Sequence, residues 1–371
     1  FLDADLVGRA STKSIELGPP SAINFQVRPQ LLESAQQTAD KPADTQPAAP
    51  LGLAEPALLT INVDHLHLPI ADFKLQRIAA ALTATMDRVV PTGDQHLAGL
   101  VVRDLAVKVP RSRLGEDLAL VTTATVQYHE ATATLESRNV LRVLSGAGVE
   151  PTLVRSDTTI KAIPVELVKA LAPAIGQYVT LLGPRLDELA VSLVGDPRNG
   201  SDPVRKPATF GTVIKSSTVQ SMLTGVIALD RQETVVSLNE GSFAELQVAP
   251  KWFNRRLAGK HPEDRSTALK LAKPTTIRLN IKDCSLVVQA GAIDPSRFRL
   301  AAAVSIPQSQ FRILPDRTLV VRDATVELAT VDLRAATTVT AIAAIEERGD
   351  DTGPAQPGRL KSTTTITGLW G

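Results

Sequence analysis

The chain holds a single cysteine, Cys284, among its 371 residues, so no intrachain disulfide can brace it. A cytosolic and a periplasmic location both fit that count. Aromatic residues make up only 3%. That is unusual for a compact enzyme core or a sugar-binding surface. No run of roughly eighteen apolar residues offers a transmembrane helix, and no signal peptide is legible at the first residues. Neither charge sign is in excess: 40 basic residues face 39 acidic ones, for a net +1. This balance argues against a general nucleic-acid or anionic-membrane surface. Catalytic motifs are missing too. There is no G-x-S-x-G, no P-loop and no H-E-x-x-H, and SGAGVEP (Ser145 to Pro151) lacks the third glycine of a dinucleotide fingerprint. No enzyme activity, catalytic residue, cofactor or metal is therefore expected.

What the chain does hold is aliphatic. Apolar residues reach 43%, almost all Val, Leu, Ile and Ala, with abundant Thr. This is a strand-forming palette. Alternation with a period of two recurs throughout. Leu105, Val107 and Val109 alternate with Ala106 and Lys108. Leu189, Val191 and Leu193 alternate with Ala190 and Ser192. Ile277, Leu279 and Ile281 alternate with Arg278, Asn280 and Lys282. Val326 and Leu328 alternate with Thr325 and Glu327, and ATVQYHEATATLE (Ala124 to Glu136) is one more alternating run. One apolar and one wet face is the pattern of antiparallel sheet.

The chain also repeats itself. LVVRD stands at Leu100–Asp104 and again at Leu319–Asp323, 219 positions apart. Other pairs follow at nearly the same offset and in the same order. Ile23 to Pro29 lies against Ala244 to Pro250, Leu58 to Val63 against Thr276 to Ile281, and Ile78 to Leu82 against Leu300 to Val304. Arg155 to Ile163 lies against Lys361 to Leu369 at a shorter offset, 206. We read a tandem duplication with a period of about 220 residues. Both ends cut the same repeat, so the chain is expected to be a piece of a longer repetitive protein. Residues 1–150 form a partial first copy, 151–221 a helix-bearing connection, and 222–371 a second copy.

Helix signals are few. Ile163 to Gly183 carries a helical stripe of Val168, Leu171, Ile175, Val179 and Leu182 behind Pro164. Pro173 and Gly176 should kink or break it, and Gly183-Pro184 ends it. We read the stripe as capping the sheet's apolar face rather than lying on a membrane. Short helices are predicted to start at Pro29 and Pro250. Gln36–Gly52, Gly195–Pro207 and Glu347–Gly358 read as loops.

Isolated motifs add little. His65 and His67 share a strand face and could both reach one zinc ion, but two ligands are not a site. The second copy does not repeat the pair, so we read them as solvent-facing. Arg348 to Asp350 spells RGD, and Asn199 to Ser201 matches a glycosylation sequon. Both are read as loop chemistry. Arg255, Arg256, Lys260 and His261 form the densest basic spot and read as a solvated turn beside Glu263 and Asp264.

The predicted fold is mainly β: a long antiparallel curved sheet, a half-pipe or groove, built from tandem repeats with a few amphipathic helices. A continuous apolar face cannot stay in water. It must close into a barrel, pair into a sandwich, or hold something greasy. LLGPRLDELAVSLVG (Leu181 to Gly195), FAELQVAPKWFNRRL (Phe243 to Leu257) and KPTTIRLNI (Lys273 to Ile281), with the Pro-led helix, resemble the periplasmic AsmA-like proteins. The resemblance implies a bridge-like lipid carrier of the bacterial cell envelope, with repeated sheet units forming an aliphatic half-pipe for phospholipid or another acyl-chain lipid. It implies no catalytic residues. The inward-facing aliphatics named above, Leu105 to Leu328, would then face lipid. The alternative is a structural repeat protein, a fibre, rod or surface layer, assembling as a homo-oligomer through edge strands.

Overall fold

The computed structural model describes residues 2–27, 52–71, 77–92, 98–113, 117–142, 152–171, 179–195, 207–229, 233–258, 270–289, 292–314, 317–330, 332, 336–349 and 356–367. Antiparallel strands dominate, as the two-residue periodicity predicts. The chain divides into two compact units, Phe1–Thr180 with Pro184–Asp196, and Leu181–Gly183 with Pro197–Gly371. The helix-bearing stretch after residue 151 thus belongs largely with the first.

In the first unit the strands are β1 (Leu2–Ala10), β2 (Ser14–Val27), β3 (Gly52–Leu53), β4 (Ala57–Pro69), β5 (Ala79–Val89), β6 (Pro91–Thr92), β7 (Leu100–Arg113), β8 (Asp117–Tyr128), β9 (Ala131–Arg142), β10 (Thr152–Pro164) and β11 (Arg185–Val194). They pair antiparallel in the order β1-β2-β4-β5-β7-β8-β9-β10-β11, each with its neighbour along the chain. β3 and β6 make a separate two-residue pair. The alternating run from Ala124 to Glu136 is two strands rather than one. His129 turns the chain in the left-handed region, φ 54°, with its ring edge-on to Tyr128 at 4.4 Å. The turn has no glycine or asparagine to announce it.

In the second unit the strands are β12 (Ala208–Ser216), β13 (Val219–Leu229), β14 (Glu233–Leu238), β15 (Phe243–Val248), β16 (Lys270–Leu271), β17 (Thr275–Gln289), β18 (Ala292–Ile293), β19 (Arg299–Leu314), β20 (Arg317–Thr330), β21 (Ala336–Gly349) and β22 (Gln356–Thr367). The order is again sequential. β14 and β15 lie end to end between β13 and β17, and β19, β20, β21 and β22 follow.

Two devices recur at the spacing of the repeated segments. The pentapeptide LVVRD ends in a left-handed aspartate both times, Asp104 at φ 51° and Asp323 at φ 49°. Each lies where the register with the next strand shifts, between Arg103 and Ala106 and between Arg322 and Thr325. Aspartate is among the few residues that tolerate this conformation, which is what a bulge needs. The second device is a buried serine. Gly18, Pro19 and Pro20 interrupt the β2 ladder, since proline brings no N–H. Ser21 fills the gap: its Oγ accepts from Val7 N at 2.8 Å and lies 3.0 Å from Val7 O. The break between β14 and β15 is filled likewise. Ser242 Oγ accepts from Thr224 N and donates to Thr224 O, both at 3.1 Å. Ser21 and Ser242 stand 221 positions apart. The match of Arg155–Ile163 with Lys361–Leu369 joins strands of different rank, because β10 is third after β7 while β22 is second after β20.

Two α-helices stand among the described residues, α1 (Val165–Leu171) and α2 (Pro250–Ala258). Of the expected stripe, Val168 and Leu171 lie in α1, and Val179 and Leu182 in a 3-10 turn. β10 runs through Pro164, so α1 starts only at Val165, and its buried residue is Leu167; Ile163 before it is buried too. Val168 is half-buried and Leu171 is 62% exposed. Val179 is buried and Leu182 half-buried in a separate 3-10 turn, Val179–Leu182. Ile175, Pro173 and Gly176 lie outside the described residues, as do the helix predicted at Pro29, most of the first two predicted loops, Lys260, His261, Asn199 and Asp350. In the third loop β21 runs on to Gly349 and β22 begins at Gln356. Pro250 does open a helix. Phe253 of α2 meets Phe311 of β19 at 5.9 Å between ring centroids. Asn254 pairs with the backbone of Leu271, its Oδ1 accepting from N at 2.8 Å and its Nδ2 donating to O at 3.1 Å. Asn254 thereby acts as a strand residue toward β16.

Asp323→Gly is expected to leave stability unchanged or raised, and Asp323→Val to lower it by about 1–2 kcal/mol, because a β-branched residue resists positive φ. Urea midpoints of the two variants check this.

Candidate functional site

Directly opposed strand residues share a face, so the registers decide whether the separate alternating runs form one surface. In the first unit they do. Phe25, Leu59, Met86 and Leu105 stand opposite one another in turn across β2, β4, β5 and β7. The next row is Ile23, Ile61, Ala84 and Val107, and then come Val63, Leu82 and Val109. On the far side Leu135 faces Ile160, which faces Leu189.

The face is not uniformly aliphatic. From Val107 the middle row continues through Thr122, Ser137 and Thr158 to Val191. Asn139 and Ser156 lie in the row beside it, leading to Leu193. This polar seam satisfies itself. Ser137 and Thr158 hydroxyls lie 2.8 Å apart, and Asn139 Nδ2 donates to Ser137 Oγ at 3.1 Å. Thr and Ser occur on both faces of these strands, with Thr132 and Thr134 exposed and Ser137 buried, so the sequence does not tell which hydroxyls form the seam.

The second unit has its own aliphatic rows. Ala244, Leu279, Val304, Val326 and Ala341 oppose one another in turn, and so do Ile281, Ala302, Leu328 and Val339. Ile277 lies opposite Leu246. Of the eleven proposed residues, Val109 and Ile281 are buried, at 9% and 7%, and Val191 is 41% exposed. Leu105, Val107, Leu189, Leu193, Ile277, Leu279, Val326 and Leu328 are half-buried. The helices sit at strand ends, α1 on β10 and α2 on β16.

The opposite faces are wet. Thr132, Thr134, Glu136 and Arg138 of β9 are all exposed. Lys282 reaches Glu327 at 2.9 Å, and Arg322 reaches Glu346 at 3.4 Å. Arg142 grips Asp117 through two hydrogen bonds, at 2.8 and 3.1 Å, which hold the carboxyl below its ordinary range. Arg278 stacks 4.3 Å over the Phe243 ring. Cys284 is buried on the aliphatic side, opposite Leu238 and Leu300. Burial, then the neighbouring Asp283 charge, pushes its thiol up.

His65 and His67 do share a face, the one opposite the aliphatic rows, opposed to Ala81 and Ala79. His67 Nδ1 lies 3.3 Å from a Glu16 carboxylate oxygen. Among the described residues no group of three or more His, Cys, Asp or Glu converges for a metal. No helix there is long and apolar enough to cross a membrane. No family model, no curated protein and no solved structure matches the chain.

Native Cys284 is expected to react with a disulfide reagent at pH 8 at least 100-fold more slowly than a free thiol, since burial disfavours the thiolate. Release to full reactivity on denaturation, followed by absorbance, checks it.

Proposed function

We propose that the aliphatic faces bind the acyl chains of lipid, as sections of a lipid-holding or lipid-conducting surface in the periplasm or cell envelope, without catalysis. This is the function that a likeness to AsmA-like bridge proteins implies. The observation that carries the reading is the row from Phe25 to Leu105, taken up again by Leu135, Ile160 and Leu189. It stays apolar across the whole unit, and its leucines are half-exposed. Acyl chains ask only for nondirectional apolar contact. Covering such side chains is worth roughly 1–2 kcal/mol each, as part of the gain from full burial. Sparse aromatics and a self-paired polar seam give little grip on any one head group.

One observation favours structural assembly as a second reading. Among the described residues β1 pairs with β2 alone, and all nine of its residues are exposed, Leu2 at 72% and Leu6 at 51%. An open edge of this kind can add a strand from another molecule.

The test is organic extraction and mass spectrometry of the purified chain beside Val107→Asp, Leu279→Asp and the opposite-face control Thr134→Asp. Stoichiometric phospholipid, lowered several-fold by the first two variants and not by the third, is the expected result. Clean protein whose size grows with concentration would replace the lipid reading with assembly.

A further inference from the structure

The polar seam on the aliphatic face of the first unit is an island. Thr122 of β8, Ser137 and Asn139 of β9, and Ser156 and Thr158 of β10 share two adjoining rows. The island is about 7 Å long along the strands and about 10 Å wide across them. Aliphatic residues border it on every side. Val107 and Leu120 close the two rows at one end, and Val191 and Leu193 at the other. Along the strands, Leu135, Ile160 and Leu189 lie to one side, and Leu118 and Leu141 to the other.

The island pairs within itself, but the pairing does not use every proton. Asn139 Nδ2 donates to Ser137 Oγ at 3.1 Å. Ser137 and Thr158 bring two hydroxyl protons to the one bond between their oxygens, 2.8 Å long, so one proton is left over. The hydroxyls of Thr122 and Ser156 bond to no other described residue, and both residues are half-buried. Neither oxygen is sealed off: among the described residues, Thr337 Oγ1 is the one fully buried side-chain polar atom with no partner. The second unit places hydroxyls alike. Ser362 and Thr364 of β22 stand opposite Ala341 and Val339, on its aliphatic side. In the match of Arg155–Ile163 with Lys361–Leu369 they take the places of Ser156 and Thr158.

A bare hydrocarbon laid across the island would strip its water and leave each spare proton without an acceptor. A carboxylate would bring acceptors together with a charge, and neither the five residues nor the aliphatic ones around them carry a countercharge. An ester carbonyl brings an acceptor with no donor and no charge, and alkyl groups follow it. We propose that the island receives the ester carbonyls of an acyl lipid, whose chains lie on the aliphatic rows to either side. The class selected is the ester-linked one, whatever its head group. The inference rests on the acyl-chain reading above and adds the chemical bond that the face selects.

The experiment offers the full, delipidated chain sonicated vesicles of dipalmitoyl phosphatidylcholine mixed in equal amount with its dihexadecyl ether counterpart, which keeps the head group and chain length but lacks the carbonyls. Bound lipid is recovered after gel filtration and counted by mass spectrometry. An ester-to-ether ratio of about five or more is the expected result for the native chain. Thr122→Val/Ser156→Ala is expected to bring the ratio to within about twofold of one, while total bound lipid stays level or rises because the face has become more apolar. Thr134→Val, on the wet face, leaves the ratio as it was. Equal uptake of the two lipids by the native chain, or a preference that the double variant keeps, overturns the role of the island and leaves acyl-chain binding standing. Uptake of neither lipid overturns acyl-chain binding itself and this inference with it. The ratio in the native chain decides even where a variant unfolds.

Discussion

Everything described above depends on phase. A strand turns alternate side chains to opposite faces, so one extra residue exchanges the two faces from that point on. These sheets contain such extra residues and still keep their aliphatic side. β7 shows how. Leu100 and Val102 are even-numbered; after the bulge at Asp104 the aliphatic set becomes Leu105, Val107 and Val109, which are odd. β4 does the same, from Leu59, Ile61 and Val63 to Leu66 and Leu68 across the shift between Val63 and His65. The sequence changes parity where the backbone does.

The residues that permit these shifts are polar and small, and they are chosen for backbone chemistry. An aspartate enters the left-handed region at modest cost. A serine hydroxyl presents both a donor and an acceptor, and so stands in for a missing peptide unit. Ser21 and Ser242 are among the least exposed residues of the chain, at 2% and 0%. A buried hydroxyl without partners would cost stability; here each hydroxyl closes the ladder that proline or a turn has opened. The bulges then rotate side chains at the strand ends. The imidazoles of His65 and His67 reach the wet face because the shift in β4 comes just before them.

Much of this was legible in the sequence, because period-two alternation is a local signal. The runs at Leu105, Leu189, Ile277 and Val326 lie on strands, and within each unit they fall on one face. Pro250 marks a helix start for the same local reason. What stayed hidden depends on which strand lies beside which. The Thr122–Ser137–Thr158 seam assembles residues well over ten positions apart, and no spacing rule reaches that far. After Pro164 the helix starts later than the stripe implied, because strand β10 persists one residue past Ile163, and its first turn buries Leu167 while Val168 is half-buried. LVVRD was visible as a repeat, but its reason, a left-handed aspartate, needed the backbone.

The sequential pairing of the first unit also has a mechanical meaning. Between β1 and β11 each main strand bonds to its predecessor and successor, so its cohesion is nearly one-dimensional. A pull on the outermost strand loads the hydrogen bonds of one seam at a time, as in opening a zipper, and leaves the remaining seams paired. Such a sheet yields from its margin inward, and a strand that docks on that margin does more than lengthen it: it moves the point of first failure outward by one strand.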